Sequence, residues 1–415
     1  MNLKMTSAMM TMMFLLSALA GCTGSDEAVD LDDSDGGYDY ASNVDNHRML
    51  MGDVCDIKDL SGAYDWDGVM DIYENGEYAE KSDGSYRTLM GFADASGKNH
   101  AYDAYYGADG SWNDFVSAAI GGTGAFAGES DTVRDQATEK GIQNGVMTAY
   151  AIHELNAAII KAEAGNWGPD DAQHAWDEGW AFYHGPDDSN HDYDGCGPYA
   201  TADKRAGNFG TANSGGTAAT NVATLAAMNA GLTAMQNEDM QGLVDARDEI
   251  LKNIVIVYSQ ASVRYASKMT DDLAAGDTSD YDKHQAEGHA FYRVIEAYVA
   301  EYTSVCYNMV SHNVSADSSQ NSCEGYAWYE NYSMGGGQTY TGCYNIVSHQ
   351  TTDDDQPTCE AYGWMTNYYS DQIVAMFDLT NDGDSSADYE ADIRAWLQPV
   401  WDHFGITATD IGTLQ

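Results

Sequence analysis

Apolar residues recur three and four apart along most of the chain, the spacing that gathers them on one face of a helix. The clearest run is SDTVRDQATEKGIQNGVMTAYAIHELNAAIIKAEAG, where Ser130 and Asp131 suit a helix start and Gly165 a stop. A second helix is predicted from Pro169 and Asp170 to the stop at Gly185-Pro186. A loop of Gly, Asn and Ser then runs to about Gly216. Residues 217–236, 238–269 and 279–302 read as three further helices, 362–377 and 389–403 as closing ones, and 65–73 as an early short one. Strand-like alternation is scarce. The predicted class is all-α, one or more antiparallel helical bundles with a disulfide-stapled C-terminal repeat insertion.

The two ends of the chain set its compartment. MNLKMTSAMMTMMFLLSALAGC has a Lys, a short apolar run and a small-residue close, which is the layout of an export signal. Ala-Gly-Cys at its end is the bacterial lipoprotein cleavage pattern, so residues 1–21 are expected to be removed and Cys22 lipidated. Residues 22–46 are rich in Gly, Ser and Asp and read as an acidic flexible tether, leaving 47–415 for the helical domain. No other segment is long and apolar enough to cross a bilayer. Contact with a membrane is therefore expected only through the anchor, at the periplasmic or cell-surface side.

Charge narrows the partners. Eighteen Lys and Arg against 66 Asp and Glu give a net charge of −48, which excludes nucleic acid and argues against anionic surfaces. Such acidity serves solubility and also concentrates cations near the protein.

Setting Cys22 aside, six cysteines remain, an even number that in an exported chain reads as disulfides. Four belong to a tandem repeat over 306–368: CYNMVSH…CEGYAWYENY from Cys306 and CYNIVSHQ…CEAYGWMTNY from Cys343. A repeated two-Cys unit suggests that each copy closes its own loop, Cys306 with Cys323 and Cys343 with Cys359, leaving Cys55 and Cys196 as a pair. The sequence itself leaves the connectivity open.

The candidate chemistry lies in two related stretches, AQHAWDEGWAFYHG and KHQAEGHAFYRVIEAYVAEY. His174 and Glu178 are four apart, and His284 and Glu287 three apart, so each pair shares a helix face. Each can offer an imidazole nitrogen and a carboxylate to one point, with partners from facing helices completing a metal shell. AIHELNAAI in the first long helix adds His153 and Glu154, about 100° apart around the axis. Asp177, His289 and Glu163 are weaker candidates. Imidazole and carboxylate without thiolate select iron first, manganese or zinc less. The Glu-x-x-His order of bundle di-iron proteins is not matched, and no sequence rule singles out a phenolate among 29 tyrosines. Phe182, Tyr183, Phe291 and Tyr292 read as core.

HELNAAIIKAEAGN, AWDEGWAFYHG and HQAEGHAFYRVI resemble the low-iron-inducible periplasmic protein family of algal iron assimilation. DWDGVMDIYENG…SDGSYRTLMGFA, AAIGGTGAFAG and PYATADKRAGNFGT are similar to it too. The resemblance covers roughly 65–302. It implies an exported, non-enzymatic protein of iron acquisition, handing iron to an uptake system, and brings no ligand set. The Cys repeat is not matched to it. Imelysin-like proteins share location and architecture, but their Gly-x-His-x-x-Glu is missing from this chain.

Two other functions stand beside this one. A metal-dependent oxidase or peroxidase would use the same bundle, and a surface binding module would use the repeat's aromatics Tyr326, Trp328, Tyr329, Tyr332, Tyr362 and Trp364. FDLTNDGDSSADYEADI has a partial calcium-loop spacing from Asp378, with Thr380 and Tyr389 where acidic ligands belong. Gly-x-Ser-x-Gly, phosphate-loop and dinucleotide signatures are missing.

Overall fold

The computed structural model describes residues 31–415 except 99, 192, 194 and 336. The predicted signal peptide and Cys22 lie outside the described residues. The helices α1 (Asp45–Arg48) and α2 (Leu50–Gly62), followed by helical segments Trp66–Asn75, where the early short helix is expected, and Leu89–Asp94, precede α3 (Ala101–Tyr106). The long predicted helix is α4 (Asp131–Lys140), a π-helical stretch (Gly141–Val146) and α5 (Met147–Glu163) without a break. Ser130 caps its start by accepting from Val133 N–H. The π stretch is where two glycines admit rings: a Cβ at Gly145 would lie 2.3 Å from Trp112 and one at Gly141 3.0 Å from Phe115.

Next come α6 (Ala172–His184), α7 (Gly197–Phe209), α8 (Ala219–Gln236), α9 (Met240–Ala275) and α10 (Thr278–Val299). α5 packs along α6, and α9 along α8 and α10, so the bundle is built of neighbours in sequence. α7 replaces the loop expected before Gly216. It starts on the disulfide-held Cys196 with Pro198 in its first turn, a position that suits proline.

The shared Glu-Gly-x-Ala-Phe-Tyr motif is a packing device. A Cβ at Gly179 would meet Leu155 of α5 at 2.9 Å, and one at Gly288 would meet Phe377 at 2.1 Å. Phe182, Tyr183, Phe291 and Tyr292 are buried behind those close approaches. The two phenols are satisfied, Tyr183 by Asn221 at 2.6 Å and Tyr292 by Ser370 at 2.8 Å.

Leu31 onwards is not a tether. The hairpin β1 (Ser34–Asp35) and β2 (Tyr38–Asp39) lies against α6. Arg48, 1% exposed, makes a two-pronged pair with Asp35, 2.6 Å on each arm. Acidity had suggested disorder, but the acids here face buried donors.

The C-terminal repeat forms strands where the sequence showed little alternation. β3 (Val305–Asn308) pairs with β7 (Tyr362–Met365), and β4 (Tyr326–Gly335) with β5 (Gln338–Asn345), which also carries β6 (Thr351–Thr352). Residues 362–365 are thus strand, and helix resumes only at α11 (Tyr368–Met376), before α12 (Tyr389–Phe404).

The first strand of each copy pairs with the last strand of the other, in one register. Cys306 faces Trp364 as Cys343 faces Trp328. Asn308 donates to Thr358 O and Asn345 to Ser322 O, both at 2.7 Å. The equivalent Tyr326 and Tyr362 stack at 4.2 Å, where a local two-fold axis would pass. Each copy closes its own disulfide, and Cys55 pairs with Cys196.

Neither copy can complete a sheet alone, so the repeat melts as a unit. Replacing Cys306 and Cys323 by serine is expected to cost about 3 kcal/mol, the loop-closure value for a loop of this order. In denaturant titrations, the repeat's tryptophan fluorescence transition should move down while helical dichroism keeps its midpoint. A joint shift of both signals would contradict this.

Candidate metal centre

α6 places His174 and Glu178 one turn apart, with His174 Nε2 3.2 Å from Glu178 Oε1. From a different helix, α1, His47 Nε2 approaches the same oxygen at 3.3 Å. α5 supplies Glu154, buried and near enough to Glu178 for the two carboxyl groups to shift each other's titration. His47 and Glu154 are buried, Glu178 is 12% exposed and His174 29%. His174 therefore marks the open side of the pocket.

A second layer fixes His174. Ser42 Oγ donates to Asp177 Oδ2 at 2.7 Å and lies 2.9 Å from His174 Nδ1. With its only proton committed to Asp177, Ser42 accepts the Nδ1 proton, which aims Nε2 at Glu178. Asp177 also takes Tyr38 O–H at 2.6 Å and the backbone N–H groups of Ala41 and Ser42. It is a buried fastener for the N-terminal strap rather than a ligand.

The electrostatics follow from burial. Desolvation, aided by the charge of Glu178, pushes Glu154 well above the usual carboxylate range. Burial alone would raise Glu178 as well, but His47, His174 and the Glu154 proton hold it well below that range. His47 is pushed down to about 3 by burial, while the Glu178 carboxylate raises His174 against its desolvation.

Each imidazole stands to Glu178 at the spacing of two ligands on one ion, but the donor atoms do not all lie within 4.8 Å of one another, so a shared ion requires a side-chain shift. Two ligands about 2.1 Å from one ion at tetrahedral or octahedral angles lie about 3.0–3.4 Å apart. The two nitrogen–oxygen separations, 3.3 and 3.2 Å, already match that edge. His47 Nδ1 is buried without a partner, its ring held between Phe92 and Phe182 at 6.0 and 5.7 Å.

His153, next to Glu154 on α5, stacks on His100, centroids 4.2 Å apart and planes 18° apart. Tyr150 flanks both rings at 5.2 Å. Burial pushes His100 down to about 4 and His153 to about 3.

The pair on α10 does not join this centre. His284 Nε2 is 4.0 Å from Glu287, so the helical-face argument holds within the pair. Its other neighbours are its own, however: Nδ1 meets Asp272 at 2.6 Å and Nε2 lies 3.3 Å from Lys268 Nζ. A neutral imidazole donating to Asp272 and accepting from Lys268 has no lone pair left, and the lysine supplies the cation. Whether the two pairs share a site is open from the sequence; the structure gives His284 and Glu287 neighbours separate from those of His174 and Glu178.

His289 is half-buried against Phe115, and Glu163 is exposed. The Asp378 loop is closed on itself, Asp378 accepting from both Thr380 N–H and O–H at 2.8 Å. Asp35, His184 and Asp187 bring one ligand atom each within 4.8 Å. Both Asp35 oxygens, though, are taken by Arg48, with Tyr40 O–H and Asp187 N–H as further donors. A guanidinium already stands where a cation would.

His47 and His100 carry no signal in sequence, because neither has a carboxylate at helical spacing that meets it in space. The model of the low iron-inducible periplasmic protein family matches residues 11–298. The chain belongs to that family. No curated protein and no solved structure matches it. The matched span holds every residue of the pocket and ends before the Cys repeat.

A pH dependence follows from the buried histidines. Between about 6.5 and about 4, the unfolded chain binds a proton at position 100 that the folded chain does not. Stability is therefore lost as pH falls through that window. His100→Gln should make the slope of unfolding free energy against pH shallower there by about 1.4 kcal/mol per pH unit. Identical slopes in wild type and variant would contradict a neutral buried His100.

Proposed function

We propose that the protein is an extracytoplasmic, lipid-anchored iron carrier serving iron acquisition, with the ion held by His47, His174, Glu178 and Glu154. One observation carries the reading: imidazoles from two different helices reach the same carboxylate oxygen, at 3.3 and 3.2 Å. Membership in a family described as low-iron-inducible and periplasmic supports both the metal and the compartment.

The donor chemistry favours iron over softer ions, because the six cysteines in the described residues are all disulfide-bonded. Two carboxylates cancel the charge of a divalent ion, whose arrival expels the Glu154 proton. The surplus of acid across the surface raises the local cation concentration around the pocket. His174, the most exposed donor, faces the side from which an uptake protein would take the ion. None of the helices described is long and apolar enough to cross a membrane; the lipid at Cys22 is the attachment proposed from the Ala-Gly-Cys pattern.

Calorimetric titration of the full chain with ferrous iron under anaerobic conditions, with elemental analysis of the product, tests this. Glu178→Gln should reduce affinity beyond detection, and Ser42→Ala should weaken it about 10- to 100-fold by freeing the His174 ring. His284→Gln should bind as wild type does. Equal binding by the Glu178 variant, or its loss in the His284 variant, would refute the assignment.

A further inference from the structure

We propose that the Cys repeat presents, at one end of its local two-fold axis, a docking surface for a protein partner whose own face is apolar at the centre and rimmed by lysine or arginine. The inference stands apart from the metal reading, since the repeat follows the span that the family model matches.

The surface is built by one device used twice. After β3, Asn308 Oδ1 accepts from the N–H groups of Val310 and Ser311 at 3.0 and 2.9 Å. After β5, Asn345 Oδ1 accepts from those of Val347 and Ser348 at 2.9 and 3.0 Å. Both asparagines are buried, and each turn closes on a histidine in the left-handed region, His312 or His349. The side chains between are held outward: Met309 is 58% exposed, Val310 51%, Ile346 52% and Val347 39%. Polar residues would serve such a turn equally well, so the apolar character of all four positions calls for a reason beyond the fold.

Symmetry brings the two turns together. Met309 N–H donates to Ala361 O at 2.9 Å, and Ile346 N–H to Gly325 O at 3.0 Å. Ala361 and Gly325 directly precede Tyr362 and Tyr326, whose rings stack at 4.2 Å on the axis. Positions exchanged by a two-fold axis lie at equal height along it. Both turns therefore project from the same end of the repeat, one on either side of the axis, and their four apolar side chains make one paired patch.

Charge selects the occupant. Residues 306–368 contain seven Asp and Glu and no Lys or Arg. Exposed Glu324 and Glu360 stand at the foot of the two turns, next to Gly325 and Ala361. A second copy of the chain would set two such acidic rims against each other, and four side chains fall well short of the roughly 800 Å² per partner of a stable dimer. Segments that lie on a membrane pair their apolar side chains with Lys and Arg, which are missing here. A protein face with apolar side chains inside a basic rim answers both the patch and its charge.

Isothermal titration of the full chain with two synthetic probes of equal length tests this, one an amphipathic leucine–lysine helix and the other lysine alone. The leucine–lysine helix should bind more tightly. Met309→Ser with Ile346→Ser should weaken that binding about 10-fold or more, leaving the all-lysine affinity and the helical dichroism unchanged. Equal affinities for the two probes, or a leucine–lysine affinity that the double variant leaves unaltered, would overturn the proposal. A dimer in sedimentation, or binding to phosphatidylcholine vesicles, that the double variant abolishes would also overturn it, assigning the patch to a second copy or to a bilayer.

Discussion

A carboxylate buried between helices is costly unless positive charge or protons meet it. Glu178 is such a group, and much of the N-terminal half is arranged around it. Three different helices bring it partners: His174 from its own, His47 from α1 and the Glu154 carboxyl from α5. Gly179 follows directly in sequence, and its missing Cβ lets α6 approach Leu155 of α5, beside Glu154. Packing and chemistry are therefore coupled at adjacent residues. The apo pocket balances its charge with protons, and a cation would satisfy the same groups more fully.

The segment after the predicted anchor takes part in this balance. Asp177 gathers the phenol of Tyr38, two backbone N–H groups and the Ser42 hydroxyl, while Asp35 binds Arg48 beside His47. These two buried acids turn residues 34–48 into a strap across α6. Ser42 then links strap to ligand through His174 Nδ1. Whatever orders this strap also orients the imidazole.

Much of the fold was legible because local rules and tertiary packing agreed. Ser130, Gly165 and Gly185 bound helices where their conformational preferences place them, and the repeat's cysteines pair within each copy. Helical spacing also identified His174 with Glu178, and put Glu154 on the facing helix. What escaped the sequence depends on contacts between distant residues. His47 reaches Glu178 across 131 positions of chain, and His100 reaches His153 from a helix start, with no periodicity to reveal either. The second pair shows the converse: His284 and Glu287 have the right spacing, but Lys268 and Asp272 from α9 take both imidazole nitrogens. The strands of the repeat were hidden because each copy's hydrogen bonds are completed by the other, and such pairing leaves little alternation in either copy alone.

The central claim is that a metal ion settles beside Glu178 rather than at any other acidic cluster of a strongly acidic protein. Anomalous diffraction from crystals of the full chain grown with ferrous or manganous ion locates it without assumptions about affinity. The account predicts the dominant anomalous peak within coordinating distance of Glu178 Oε1 and the Nε2 atoms of His47 and His174. A dominant peak at Asp35, His184 and Asp187, beside His284, or in the Asp378 loop, with none at Glu178, would contradict it.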